Sequence, residues 1–261
     1  MKRITKFILN KIPRPLLINL SIFLRPLIYL FFKGTKFTDP IDGKSYRKFL
    51  PYGYGKQREN ALSPGTLSLE RHRQMWLYLQ NETDFFSKNY KVLHIAPEQE
   101  FLRRFKKMKN LNYTSADLYS PIVDVKADIL NLPFENESFD VVFCNHVLEH
   151  IDDDQKAMSE LYRVMRKDGW GIFQVPMKTS LEKTYEDFSI KTPKERQEHF
   201  GQYDHVRWYG MDYFDRLRKV GFEVDVNFYS KKFSKEDIKH FGLIENEILP
   251  VVSKNTITSV E

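Results

Sequence analysis

The sequence predicts an α/β protein with a doubly wound, mostly parallel sheet and a small N-terminal extension, and three observations point there. From Asn89 onward, short apolar runs alternate with amphipathic stretches of helical period, the order that builds strand–helix–strand units. One of those runs, Phe139–Asn145, is apolar enough for a strand buried on both faces. The 261 residues are 41% hydrophobic and 29% charged, which can fill a core and excludes wholesale disorder or a fibrous repeat.

Taken in order, Thr35–Leu67 is rich in Gly, Pro, Tyr and charges, as in Pro51-Tyr52-Gly53-Tyr54-Gly55, and predicts turns around one short strand, Ser45–Leu50. Ser68 caps a helix running to about Gln80. The alternation then gives strand Lys91–Ala96, helix Glu98–Met108, strands Tyr113–Leu118 and Val123–Ala127, and strand Phe139–Asn145. Helix Asp152–Arg166 follows, stopped by Asp168-Gly169, and then strand Gly171–Val175. Helix Met211–Val220 ends at Gly221, followed by strand Phe222–Tyr229, helix Lys235–Phe241 and strand Glu247–Val252. Domains are expected at 1–34, 35–88 and 89–254, the last with an insertion at about 177–210. The one cysteine, Cys144, permits no internal disulfide and is expected in the core.

The net charge of +6 is unevenly placed. Lys2, Arg3, Lys6, Lys11, Arg14, Arg25 and Lys33 fall in the first 33 residues, with no acidic group, leaving 34 basic and 35 acidic residues in the remainder. A near-neutral body argues against a nucleic-acid partner. The apolar run Leu16–Phe32 spans about 25 Å as a helix, short of a hydrocarbon core of about 30 Å, and Arg25-Pro26 interrupts it. Residues 1–33 are therefore expected to lie in an anionic membrane interface or to re-enter it, at the cytoplasmic face. The alternative is an extension packed on the protein's own body.

In such a sheet, ligands bind beyond the carboxyl ends of the strands. Those positions hold His94, Ala96, Pro97 and Glu98 after the first strand, Asp117 at the end of the second, Asp128-Ile129 after the third and Asn145-His146 after the fourth. Asp117 stands 19 residues past Glu98, about the spacing at which an acid reaches ribose hydroxyls. Two glutamates and no glycine in His94-Ile95-Ala96-Pro97-Glu98-Gln99-Glu100 disfavour a pyrophosphate ligand, which needs amide donors there.

These stretches, together with Ser138-Phe139-Asp140-Val141-Val142, Val147-Leu148-Glu149-His150 and Leu161-Tyr162-Arg163-Val164-Met165 through Gly169, resemble the class I S-adenosylmethionine-dependent methyltransferases, Rossmann-like proteins, in a type 11-like branch. The likeness covers about Asn89–Pro176. It implies S-adenosyl-L-methionine as cofactor, with Asp117 on the ribose, Asp128 at the adenine amino group, Ile129 against the ring, and Asn145 and His146 at the methionine end. The family's glycine loop is absent, and His94–Glu98 resembles a variant loop of bacterial methyltransferase-like proteins, with Glu98 facing the cofactor ammonium. A binding module that has lost catalysis is the alternative that this loop raises.

Relatives of that group carry two Cys-x-x-Cys pairs where this chain has Asp39 and Asp42, then Ser63 and Thr66. Such side chains are poor zinc ligands, so no metal and a loop held by turn chemistry are expected. Arg71 and Arg73 are candidates for a carboxylate of cofactor or substrate, or for surface pairing. The insertion gathers His199, Tyr203, Asp204, His205 and Arg207, dense for a mere connector. His205 is the first candidate base, with Asp204 or His199 as alternatives, and Tyr203 and Arg207 would hold the acceptor. Glu149 and His150 carry possible catalytic groups but stand at a helix start, where capping roles are common. The acceptor is expected to be a small molecule or a membrane-borne one such as a glycolipid or lipid-linked sugar.

Overall fold

The computed structural model describes residues 24–53 and 57–255, which divide into two compact units. The first comprises the residues up to Trp76 with Phe233–Ile244. Helix Arg25–Phe32 carries Pro26 in its first turn, where a missing N–H leaves no hydrogen bond unmade. Tyr29 and Phe32 pack on the buried cluster Phe37, Tyr46 and Phe49, while Leu27, Leu30 and Phe31 are exposed. Residues 1–23 of the expected interfacial segment lie outside the described residues. Among the described residues, no helix is long and apolar enough to cross a membrane.

Strand Lys33–Asp39 pairs antiparallel with Lys44–Tyr46, and Leu50–Tyr52 with Arg58–Leu62. The single strand expected at Ser45–Leu50 is thus broken. At Arg47 the backbone N–H turns to the Phe32 carbonyl, 2.8 Å away, and Phe49 is buried between the two pieces. Helix Lys235–Phe241, which sequence alone assigned to the 89–254 domain, belongs to this first unit. Arg73 holds it there, donating to the carbonyls of Phe241 and Gly242 at 2.7 and 2.6 Å.

The second unit comprises Leu77–Lys232 and the chain from Glu245. Its sheet has seven strands: β1 Tyr90–Ile95, β2 Leu111–Asp117, β3 Val125–Lys126, β4 Phe139–Cys144, β5 Met165–Ile172, β6 Glu223–Asn227 and β7 Leu249–Lys254. The spatial order is β6-β7-β5-β4-β1-β2-β3. β1 pairs parallel with both β2 and β4, and β4 with β5, whereas β7 runs antiparallel to β5 and β6. Apart from β5, sequence patterning predicted these strands to within a few residues, and the mostly parallel sheet is as expected. The flanking helices are α1 Gln99–Phe105, α2 Asp154–Val164 and α3 Tyr213–Val220. Asp153 caps α2, accepting from the Lys156 N–H at 2.9 Å, and Gly221 ends α3 at φ +118°, which its lack of a Cβ permits. Leu93, Val142, Cys144, Leu161, Phe173 and Leu217 are among the buried residues of the core.

β5 starts earlier than sequence indicates. The helix ends at Val164, and the Asp168-Gly169 pair expected to stop it is absorbed into the strand. The register jumps there, Phe139 facing Met165 and Val141 facing Trp170, with Asp168 at φ +61°. The insertion also contains two features that periodicity does not reveal. One is a helix, Pro193–Phe200, opened by a Thr192–Glu195 capping box; the other is a ribbon pairing Tyr185–Glu186 with Arg207–Trp208.

Candidate active site

From β1 the chain builds outward to β2 and β3, then returns to lay β4 on the other side of β1. That reversal opens a crevice beyond the carboxyl ends of the strands. A cavity of about 370 Å3 occupies it, within the size range of small-molecule sites, about 300–1,000 Å3.

Five of the residues expected to hold a cofactor line this cavity: Ala96, Asp117, Asp128, Ile129 and His146. Asp117 closes β2, and its Oδ1 accepts from the N–H groups of Tyr119 and Ser120, both at 2.6 Å. That turn holds the carboxylate at the cavity wall. Asp128 is fixed the same way, accepting from the Leu130 N–H at 2.9 Å. Ile129 is buried and adds an apolar face. Ala96 turns the loop after β1 at φ +46°, the left-handed region that a glycine normally occupies. His150, which sequence marked as a possible catalytic group, also lines the cavity, as do Leu118, Tyr119, Val147 and Ile151, which follow the strand ends and were not singled out as site residues.

The other cofactor candidates lie elsewhere. His94 is fully buried, its Nε2 2.9 Å from Glu98 Oε2 and its Nδ1 2.9 Å from the Tyr113 hydroxyl. Both ring nitrogens and one glutamate oxygen are thereby engaged within the fold, which corrects the expectation that His94 and Glu98 face the ligand. Pro97 is not among the lining residues. Asn145 is buried and accepts from the Gln174 N–H at 3.1 Å.

The insertion reaches the cavity at Asp204 alone among the candidate bases. His199 is exposed on its helix, its Nδ1 2.9 Å from the Tyr185 hydroxyl. His205 is 1% exposed and packs edge-on against the His150 ring at 4.8 Å between centroids. Burial moves the His205 pKa below its ordinary value, favouring neutral imidazole. Tyr203 is exposed.

Arg207 is corrected from substrate anchor to scaffold. It is buried and donates to Glu186 Oε2 at 2.8 Å, to the Leu148 and Asp152 carbonyls at 2.9 and 2.8 Å, and to the Ile151 carbonyl. Arg73 is similarly occupied within the first unit. It donates to the carbonyls of Ser68, Ala61, Phe241 and Gly242, and burial lowers its pKa to about 10 against the opposing pull of Asp39 and Glu70. Arg71, on the same helix, is half-buried.

Around the tight turn Leu148–His150, His146 Nδ1 stands 3.4 Å from Glu149 Oε1, and His150 Nδ1 stands 3.5 Å from Asp204 Oδ2. Glu149 is 1% exposed. Burial raises its pKa, but the hydrogen bond from His146 and the charges of His146 and His150 outweigh that, leaving it below the ordinary carboxylate value. The cavity thus has two walls, one with Asp117, Asp128 and Ile129, the other with His146, His150 and Asp204.

Residues 78–173 match the family model described as a methyltransferase domain. Over that stretch, somewhat more than a third of its length, the chain is similar to methyltransferase domains. An uncharacterized protein of Methanocaldococcus jannaschii is 31% identical over 106 residues, which cover 40% of this chain and 41% of that protein. An uncharacterized methyltransferase of Bacillus subtilis, YcgJ, is 41% identical over 39 residues, 15% of each chain. The chain therefore matches well under two thirds of the length of either curated relative. A 1,6-didemethyltoxoflavin N1-methyltransferase structure from Burkholderia thailandensis, holding that compound and S-adenosylhomocysteine, aligns with 14% identity and a TM-score of 0.48, covering 72% of this chain and 78% of that one. The match to the methyltransferase domain ends at Phe173, before the insertion that brings Asp204 to the cavity.

Proposed function

We propose that the chain transfers the methyl group of S-adenosylmethionine to a small nucleophilic acceptor. The observation that carries the reading is the two-walled cavity at the strand-order reversal. The residues present fit this cofactor: Asp117 and Asp128 are anionic acceptors for ribose and adenine donors and suit a cationic sulfonium, and Ile129 offers the base an apolar face. Ala96 makes the tight turn without glycine. When bound, the cofactor supplies an electrophilic methyl carbon whose C–S bond breaks as the acceptor's lone pair attacks, leaving S-adenosylhomocysteine. The chain's own part is alignment and exclusion of water. Asp204, which lines the opposite wall beside His150, would take the acceptor's proton.

Calorimetric titration with S-adenosylhomocysteine tests the reading, and Asp117→Ala should weaken binding at least about tenfold. No heat or thermal shift at millimolar ligand would overturn it.

The reading extends to an acceptor presented at an anionic membrane on the cytoplasmic side. The acid-free, basic first 33 residues and the outward Leu27, Leu30 and Phe31 support it. Removing residues 1–33 should abolish sedimentation with phosphatidylglycerol vesicles and leave cofactor affinity intact. Persistent sedimentation would place the membrane contact elsewhere.

A further inference from the structure

We propose that Glu149, His150 and His205 form a two-histidine, one-carboxylate site for a divalent transition-metal ion at the acceptor wall of the cavity. One ligand atom from each of the three residues lies within 4.8 Å of the others. Atoms bound to one ion at about 2.1 Å sit roughly 3.0–3.4 Å apart, so loading draws the three together by about an ångström.

Two features set this cluster apart from a surface grouping. Glu149 and His205 are each 1% exposed, and Glu149 Oε2 and His205 Nδ1 have no hydrogen-bond partner. Buried polar atoms are normally satisfied, and a cation held by both carboxylate oxygens of Glu149 and by His205 Nδ1 would satisfy both. Moreover, His150 is already oriented as metal-binding histidines are. Its Nδ1 faces the carbonyl and carboxylate of Asp204 at 3.2 and 3.5 Å, turning Nε2 toward Glu149 Oε1, 3.9 Å away. A carboxylate behind the distal nitrogen fixes the tautomer and raises ligand basicity.

The backbone holds the parts together independently of any ion. The Val206 N–H donates to the Glu149 carbonyl at 2.9 Å, and Arg207 clamps the carbonyls of Leu148, Ile151 and Asp152. The string His146-x-x-Glu149-His150 is spelled like a helical zinc motif, but His146 is left-handed at φ +55° and a single tight turn follows. The two histidines therefore do not share a helix face, and His205 completes the set from the insertion. Two imidazoles and one carboxylate suit Zn2+, Fe2+ or Mn2+ better than Mg2+ or Ca2+, which prefer all-oxygen shells. His150 lines the cavity, so the ion would hold an acceptor oxygen there and polarise it. Only this task rests on the methyl-transfer reading; the site itself does not.

The full-length protein, stripped with chelator, is titrated calorimetrically with Zn2+ and with Mn2+. One equivalent is expected to bind, with a rise in melting temperature. His205→Gln and Glu149→Gln should each weaken binding more than about 100-fold, and Asp204→Asn, which acts through His150, about tenfold. In Cu2+-loaded wild-type protein, electron spin-echo modulation should show imidazole nitrogens, which decides the matter even if a variant fails to fold. Absence of stoichiometric binding, undiminished affinity in folded His205→Gln, or a spectrum without imidazole coupling would each overturn the site. S-adenosylhomocysteine is titrated into the same samples. Binding of that ligand without metal binding overturns only the site, whereas the reverse overturns only the methyl-transfer reading.

Discussion

Asp39 accepts a hydrogen bond from the Ser68 hydroxyl at 3.0 Å, joining two turns 29 residues apart. The same carboxylate accepts from the Thr66 hydroxyl and from the Ile41 N–H, the latter at 3.0 Å, and is completely buried. Ser68 in turn meets Arg73, so this one acid ties the turn at Asp39–Ile41 to the one at Thr66–Ser68. Asp39→Ala leaves two hydroxyls and an amide without their acceptor, at about 1–3 kcal/mol for each group that stays dry. A loss of at least about 2 kcal/mol is expected in urea unfolding, with Asp39→Asn intermediate. Wild-type stability in Asp39→Ala would show that the turns hold without it.

Ala96 gives a second prediction, about the loop that lacks the family's glycines. At φ +46° an L-residue pays about 1–2 kcal/mol of strain, while glycine would relieve the strain but loosen the unfolded chain by about 0.4–1 kcal/mol. Ala96→Gly should therefore fall within about 1 kcal/mol of wild type and keep its ligand affinity. Ala96→Val adds a β-branch to a conformation that such residues rarely adopt and should both destabilise the protein and weaken S-adenosylhomocysteine binding. Equal behaviour of the two variants in melting and calorimetry would refute this account.

The contrast between Asp117 and His94 shows what the sequence made legible. Asp117 could be placed because strand period and chain distance determine which residue ends β2. His94 stands one residue before the end of β1, yet side chains alternate across a strand, and one at this depth points into rings such as Phe101, Phe105 and Phe143 rather than outward. Arg207 was unreadable for another reason. Its partners are backbone carbonyls about 55–59 residues away, and nothing local in His205-Val206-Arg207 encodes them. Strand Lys33–Asp39 escaped notice because only Phe37 and Asp39 are buried along it, too little alternation to register.

That long-range clamp can be tested directly. Arg207→Gln removes donors from three carbonyls and leaves Glu186 with only Arg216, which donates to it at 2.6 Å. Breaking a buried ion pair by removing one partner costs about 3–5 kcal/mol, so a clear drop in melting temperature is expected. The turn Leu148–His150 should also exchange its amide hydrogens faster. Retention of that turn's protection would assign Arg207 to the Glu186 ribbon alone.

Acid should act through Glu160, which accepts from both Arg163 Nε and Nη2, at 2.9 and 2.7 Å, and from the Leu132 N–H at 2.8 Å. The hydrogen bond from Arg163 holds its carboxyl below the ordinary value despite its burial. A depressed folded pKa means that the contribution is complete above the unfolded value, about 4.3. It is then lost as pH falls through the folded value, because the unfolded state takes up the proton first. Between pH 7 and pH 3 the urea midpoint of wild type should therefore fall further than that of Glu160→Gln, which has no charge to lose there. Parallel midpoints for the two proteins across that interval would show that Glu160 titrates alike in the folded and unfolded states.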